Sequence, residues 1–169
     1  MTVLNGLVPE GELKALGVTR LFTPRKRAAI TLAGLGKTQA ESARLLHLQP
    51  TTLASSILSL AKELKCASRV SAVVHAAYSH PDFPLPQQEG PAPKQDLDEY
   101  TSMMLTAHTE GVTVTRLSKT TGIGMAQLAI FNRQLYHQLG AHNPPHAVRL
   151  AWRAGWLTRA SDDTAVEVR

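Results

Sequence analysis

The sequence predicts an all-α protein made of two four-helix units, and three observations predict it. Hydrophobic residues make up 43% of the chain but aromatic residues only 5%, which favours helical cores of Leu, Ala, Val and Ile. Leu53, Ile57, Leu60 and Leu64 recur at steps of four, three and four, the spacing of one apolar stripe on a helix. The pattern of residues 21–78 also returns 75 positions later: Gly36 becomes Gly111, Leu53 becomes Leu128, Leu60 becomes Leu135, Leu64 becomes Leu139, and Ala72-Val73 becomes Ala147-Val148. This reading divides the 169 residues into an N-terminal extension (1–20), a first unit (21–78), a Pro-rich linker (79–95), a second unit (96–157) and a C-terminal tail (158–169).

In the extension, Glu10 to Leu16 can form a helical turn or two ending at Gly17, read as packing. Thr23 caps the first helix of the first unit and Pro24 sits in its first turn. The helix runs to about Ala33 and is broken by Gly34 and Gly36. Thr38 and Glu41 form a capping box for a short helix reaching about Leu46. Leu48, Gln49 and Pro50 make a tight turn, because Pro fits the first position of a helix but not its interior. The helix that follows turns its stripe inward and leaves Thr51, Thr52, Ala54, Ser55, Leu58, Ser59 and Lys62 on other faces. Cys66, the single cysteine, has no disulfide partner in the chain and reads as core packing.

The stretch SHPDFPLPQQEGPAPKQD holds five prolines and no helical period, so it is expected to be an extended spacer keeping the units apart. In the second unit Asp96 and Glu99 are expected to box the first helix. Gly122-Ile123-Gly124 replaces the turn, and Met125 to Leu139 is the counterpart of the helix that starts at Pro50. Pro144 stands where the first unit has Arg69.

The first unit resembles the LuxR-type (GerE) helix-turn-helix domain of bacterial transcription regulators. The residues that carry the resemblance are Thr23 and Arg25, Gly36, Ala43, Gln49 to Leu53, Leu64, Ser68-Arg69 and Ala72-Val73, in the family's order and without a gap. Leu139-Gly140 fits the family's Leu-Gly helix ending better than Leu64-Lys65 does. The resemblance implies tandem LuxR-like units that bind double-stranded DNA, with the helix after the turn lying in the major groove. By that implication Lys37, Thr38, Gln39 and Lys62 hold the phosphate backbone of the first half-site, while Thr51, Thr52 and Ser55 face bases. In the second unit Thr113 and Thr115 go to phosphate, and Gln127, Asn132 and Arg133 go to the groove, where Gln and Arg pair bidentately with adenine and guanine. The second unit is thus the better reader of bases.

Charge agrees with a polyanionic partner. The formal charge is +5, and residues 21–78 carry eight basic against two acidic side chains while residues 97–157 carry five against three. Arg25-Lys26-Arg27 reads either as a phosphate contact or as solvated and ion-paired charge. Family members carry Lys or Arg where this chain has Ala54 and Leu58, and the replacements fit three readings: non-specific docking through the surrounding charge, readout by hydroxyls and thymine-methyl contacts, or a protein contact through Leu58 and Ala54 in an adaptor that binds a regulator or RNA polymerase through one or both units. The family also dimerises through its fourth helix. The stripe Val148, Trp152 and Trp156 is most simply a core face, with Trp152 or Trp156 in a homodimer interface as the alternative.

No enzyme chemistry, metal or cofactor is expected. The seven histidines are scattered, and His142-x-x-x-His146, though spaced like a ligand pair, spans Pro144 and Pro145. GLGKT at 34–38 lacks the leading glycine and the strand of a phosphate loop. No run approaches the roughly 20 apolar residues of a membrane span, and no cleavable leader opens the chain, so a cytoplasmic protein without membrane contact is expected. No receiver or ligand-binding domain is expected ahead of the units.

Overall fold

Capping side chains set where five of the described helices begin. The computed structural model describes residues 21–86 and 96–159; the expectations for residues 1–20, 87–95 and 160–169 lie outside the described residues. Among these there are eight helices and no strand: α1 (Pro24–Gly34), α2 (Gln39–Leu45), α3 (Pro50–Glu63), α4 (Val70–Ser79), α5 (Glu99–Glu110), α6 (Val114–Thr121), α7 (Met125–Leu139) and α8 (Pro144–Arg153). Thr23 Oγ1 accepts from the Lys26 amide at 3.3 Å, and Thr38 with Glu41 forms the reciprocal capping box. Thr113 caps α6 and Asn143 caps α8.

One cap differs from expectation. Asp98, not Asp96, starts α5, accepting from the Tyr100 and Thr101 amides at 3.0 and 2.9 Å. A capping carboxylate must stand directly before the first helical residue to reach the second and third amides, and Asp98 does so while Asp96 lies two residues too early. Asp98 is also the 75-residue counterpart of Thr23.

Helix starts at 24, 39 and 50 recur at 99, 114 and 125, and the fourth start, 70, recurs one residue early at 144. The repeat extends to backbone conformation. His47 and Lys65 adopt left-handed conformations, with φ of 53° and 55°, where the second half has Gly122 and Gly140 at 74° and 70°. The chain therefore makes the same bends in both halves, once with side chains that fit them poorly and once with glycine.

Two hydrophobic clusters result. Phe22, Ile30, Leu53, Leu60, Val74 and Tyr78 belong to the first, and Met104, Leu105, Leu117, Leu128, Phe131 and Leu135 to the second. Cys66 packs at the edge of the first cluster, and burial pushes its thiol pKa up. Helix α8 serves both clusters, sending Val148 and Trp152 into the first and Ala151 into the second.

The halves are packed directly, not held apart by a spacer. α4 lies against α8, α1 against α8, and α5 against α4. Residues after α4 do not extend away either: Phe83, 2% exposed, packs edge-on against Phe22 and Tyr78 with ring centroids 5.0 and 5.3 Å apart. Arg159 fixes this return by donating to the carbonyl oxygens of Tyr78, His80 and Phe83. Proline content signalled an irregular segment but could not exclude docking, because Phe83 supplies an apolar anchor within it.

The fourth-helix surface is used inside the chain. Trp152, 4% exposed, donates from Nε1 to His75 Nδ1 at 3.2 Å and lies beside Tyr78, so it faces the other half and not a second copy. Trp156 is half-buried against the second cluster.

Candidate nucleic-acid interface

On α3 the apolar stripe turns inward as expected, with Leu53, Ile57 and Leu60 buried and Leu64 half-buried. Thr51, Thr52, Ser55, Leu58, Ser59 and Lys62 are consequently exposed, and Ala54 is half-buried among them. Lys37, Thr38 and Gln39 are exposed where the chain enters α2. The corresponding entry to α6 places Thr113 half-buried and Thr115 exposed. Gln127 and Arg133 are exposed on α7.

The two capping threonines differ in what they can still offer. Thr38 Oγ1 accepts from the Glu41 amide and donates to Glu41 Oε2 at 2.8 Å, so its proton is committed to the cap. The Thr38 amide, donating to Glu41 Oε2 at 2.7 Å, and then the Thr38 hydroxyl hold the Glu41 carboxyl below its ordinary pKa. Thr113 Oγ1 accepts from the Arg116 amide at 3.0 Å and keeps its own proton for an outside acceptor.

Asn132 corrects the sequence reading. Its Oδ1 lies 2.7 Å from Nε2 of His108, which is 7% exposed, so the imidazole donates and Asn132 points inward instead of into a groove. Helical spacing explains this: Asn132 follows Leu128 by one turn and lies beside Leu135 and Tyr136. Burial pushes the His108 pKa down, and the Asn132 bond partly opposes that.

The basic cluster at the start of α1 divides three ways. Lys26 Nζ pairs with Glu63 at 2.8 Å, and Ser59 Oγ donates to the same carboxylate at 2.9 Å. These contacts hold the Glu63 carboxyl below its ordinary pKa, the Lys26 bond foremost, and they neutralise the one acid on α3. Arg27 donates to the carbonyl oxygens of Phe22 and Asp82. Arg25 is exposed.

Two surface residues of α7 were missed from sequence. Ile130, 38% exposed, is the 75-residue counterpart of Ser55, and Gln134 is the exposed counterpart of Ser59; the displacement that located Gln127 and Arg133 would have located them too. Ile130, Arg133, Gln134 and His137 line a shallow open hollow along α7 that reaches Asp98.

The starts of the two long helices share a further property. Neither Gln49 before α3 nor Gly124 before α7 makes a side-chain cap bond, so the helix-starting amides lack the acceptor that Thr38 and Thr113 give α2 and α6. Such ends favour an approaching anion.

Compared with protein families, curated proteins and solved structures, the chain matches none. Its candidate interface stands on its own residues. No group of three or more His, Cys, Asp and Glu side chains that could hold a metal ion gathers among the described residues. His142 and His146 do approach, ring centroids 5.1 Å apart, but the His142 amide donates to His146 Nδ1 at 3.3 Å and occupies that nitrogen. No helix among the described residues is long and apolar enough to cross a membrane.

Proposed function

We propose that the protein is a DNA-binding transcriptional regulator with two LuxR-like helix-turn-helix units, the second of which reads bases. One observation carries the reading: the same short-helix, turn, long-helix arrangement occurs twice, each time with a polar face of the long helix left uncovered and its first amides uncapped by a side chain. An uncovered helix with an electropositive start suits entry into a major groove between phosphates. Basic and amide side chains on the exposed faces suit the two kinds of contact, Lys37 and Lys62 for phosphate and Gln127 and Arg133 for bases. A gel-shift assay with random and genomic fragments tests it: retarded complexes with both, and a subset held more tightly, are expected.

A second reading has its own observation. Leu58 is 46% exposed at the middle of α3, and Leu45 of α2 is 57% exposed. That surface fits an adaptor role for the first unit, with Leu58 and Ala54 against a regulator or RNA polymerase. Leu58→Asp separates the two, since it leaves DNA affinity close to unchanged if Leu58 contacts protein and lowers it if α3 lies against phosphates.

A further inference from the structure

The contacts between the halves are reciprocal. Under the 75-residue displacement α1 corresponds to α5 and α4 to α8, so α1 against α8 and α5 against α4 are one contact with the halves exchanged, while α4 against α8 maps onto itself. A two-fold axis produces that arrangement, and a simple translation does not. Atomic contacts repeat it. A Cβ on Gly36 would lie 3.0 Å from Nδ1 of His146, at the start of α8, and a Cβ on Gly111 would lie 3.2 Å from Cβ of Ala72, at the start of α4.

Each glycine after a first helix thus abuts the fourth helix of the opposite half. The principal contacts between the halves involve neither α3 nor α7. Rotation about a two-fold axis keeps position along that axis, so α7 is presented at the same end as α3 and in the opposite sense.

The pairing also fits these two halves better than two copies of either. Trp152 is received by His75 and Tyr78. In a pair of second halves the same Trp152 would meet Arg149 and a second Trp152, their counterparts once the fourth helices are matched from their starts at 70 and 144, and would lose its hydrogen-bond acceptor. In a pair of first halves Tyr78, the counterpart of Trp152, would meet His75 in place of Arg149, whose Nη1 donates to its hydroxyl at 2.6 Å.

We infer that one copy of this chain binds duplex DNA by itself, its halves forming a pseudo-two-fold pair that presents α3 and α7 to two half-sites in inverted orientation. The inference rests on the DNA-binding reading above and adds stoichiometry and half-site orientation to it. Because α3 and α7 carry different exposed residues, the two half-sites differ in sequence, and the inversion becomes visible only when the helices are made alike.

The test selects tight binders from random-sequence duplexes with the unaltered chain and with the variant T52Q/S55I/L58R, which gives α3 the residues α7 has at Gln127, Ile130 and Arg133. All three positions are exposed or nearly so, and none belongs to a hydrophobic cluster. Native mass spectrometry of the unaltered chain with its selected duplex is expected to show one chain per duplex, with two protected segments spaced by about one helical turn or a multiple of it. The variant is expected to enrich duplexes in which the block read by α7 occurs twice, the second copy inverted.

Two chains per duplex, a second block in direct orientation, or a single protected segment would overturn the inference while leaving DNA binding in place. Absence of any retained duplex with the unaltered chain would instead remove the DNA-binding reading itself, and this inference with it. Should the variant fail to fold, stoichiometry and protection of the unaltered chain decide alone.

Discussion

Asn143 donates from Nδ2 to the carbonyl oxygen of Gly36 at 2.9 Å, joining residues 107 positions apart in sequence. The same Asn143 accepts from the His146 amide at 3.1 Å, so one side chain both starts α8 and docks it on the loop that leads into α2. Helix capping and the joining of the two halves are therefore coupled.

Gly111 occupies the equivalent place on the other side of the seam. Its φ is +69°, and a Cβ there would come within 2.7 Å of Ala67 Cβ; Gly140 has nearly the same φ, +70°, and nothing within 4 Å. Gly140→Ala should cost about 1–2 kcal/mol, the strain of a left-handed alanine. Gly111→Ala should cost a further 1–3 kcal/mol or so from overpacking. Urea denaturation of both variants checks this, and equal losses would mean that the seam is looser than described.

Lys65 is expected to be a weak point of the first half. It is exposed and holds φ at 55°, where the second half has Gly140. Lys65→Gly should raise stability by roughly 0.5–1 kcal/mol, the relief of left-handed strain less the extra freedom glycine gives the unfolded chain. A lower denaturation midpoint would show instead that the Lys65 side chain contributes more than its backbone costs.

Much of this was legible in sequence because it is local. Thr38 with Glu41, Pro50 at a first helical position, and the four-three-four stripe from Leu53 to Leu64 each specify structure within a few residues. Asn132 is polar on an amphipathic helix, but its spacing from Leu128 places it toward the core, so polarity alone misleads there. Direct packing of the halves was not legible. Val148 and Trp152 form a stripe that any core could receive, and nothing in their spacing says that the receiving core belongs to the other half. Phe83 is masked for a related reason: its neighbours Pro81, Pro84 and Pro86 mark the segment as a spacer.

Acid should loosen the seam. His75 accepts from Trp152, His108 donates to Asn132 and lies close enough to Arg69 to feel its charge, and His146 lies against Gly36 with Arg149 and Arg153 near. Burial is the leading cause that pushes all three imidazoles below their ordinary pKa. With a folded pKa below the unfolded value of about 6.5, each histidine takes up its proton first in the unfolded chain. Stability should thus be full above about pH 7 and fall as pH drops through 6.5. Denaturant midpoints measured between pH 8 and 5 check the direction, and a flat profile would contradict it.

Arg133 and its neighbour Asn132 should separate recognition from stability. Arg133→Ala is expected to cost about 1–3 kcal/mol on a preferred site and much less on random DNA. Asn132→Ala should lower folding stability by roughly 1–3 kcal/mol, because His108 loses its buried acceptor, and should leave the ratio of specific to random affinity unchanged. A parallel fall of specific and random affinity in Arg133→Ala would reduce Arg133 to a phosphate contact.

The most direct test of DNA binding is a salt titration of the unaltered chain and of K37E/K62E against a random-sequence duplex, followed by fluorescence anisotropy. Binding by the unaltered chain should be saturable at about 50 mM salt, with log K falling linearly against log salt concentration by about 0.9 for each phosphate neutralised. The K37E/K62E chain should bind more weakly on every sequence and show a shallower slope. No binding by the unaltered chain at about 50 mM salt, or a slope that charge reversal leaves unchanged, would contradict the account.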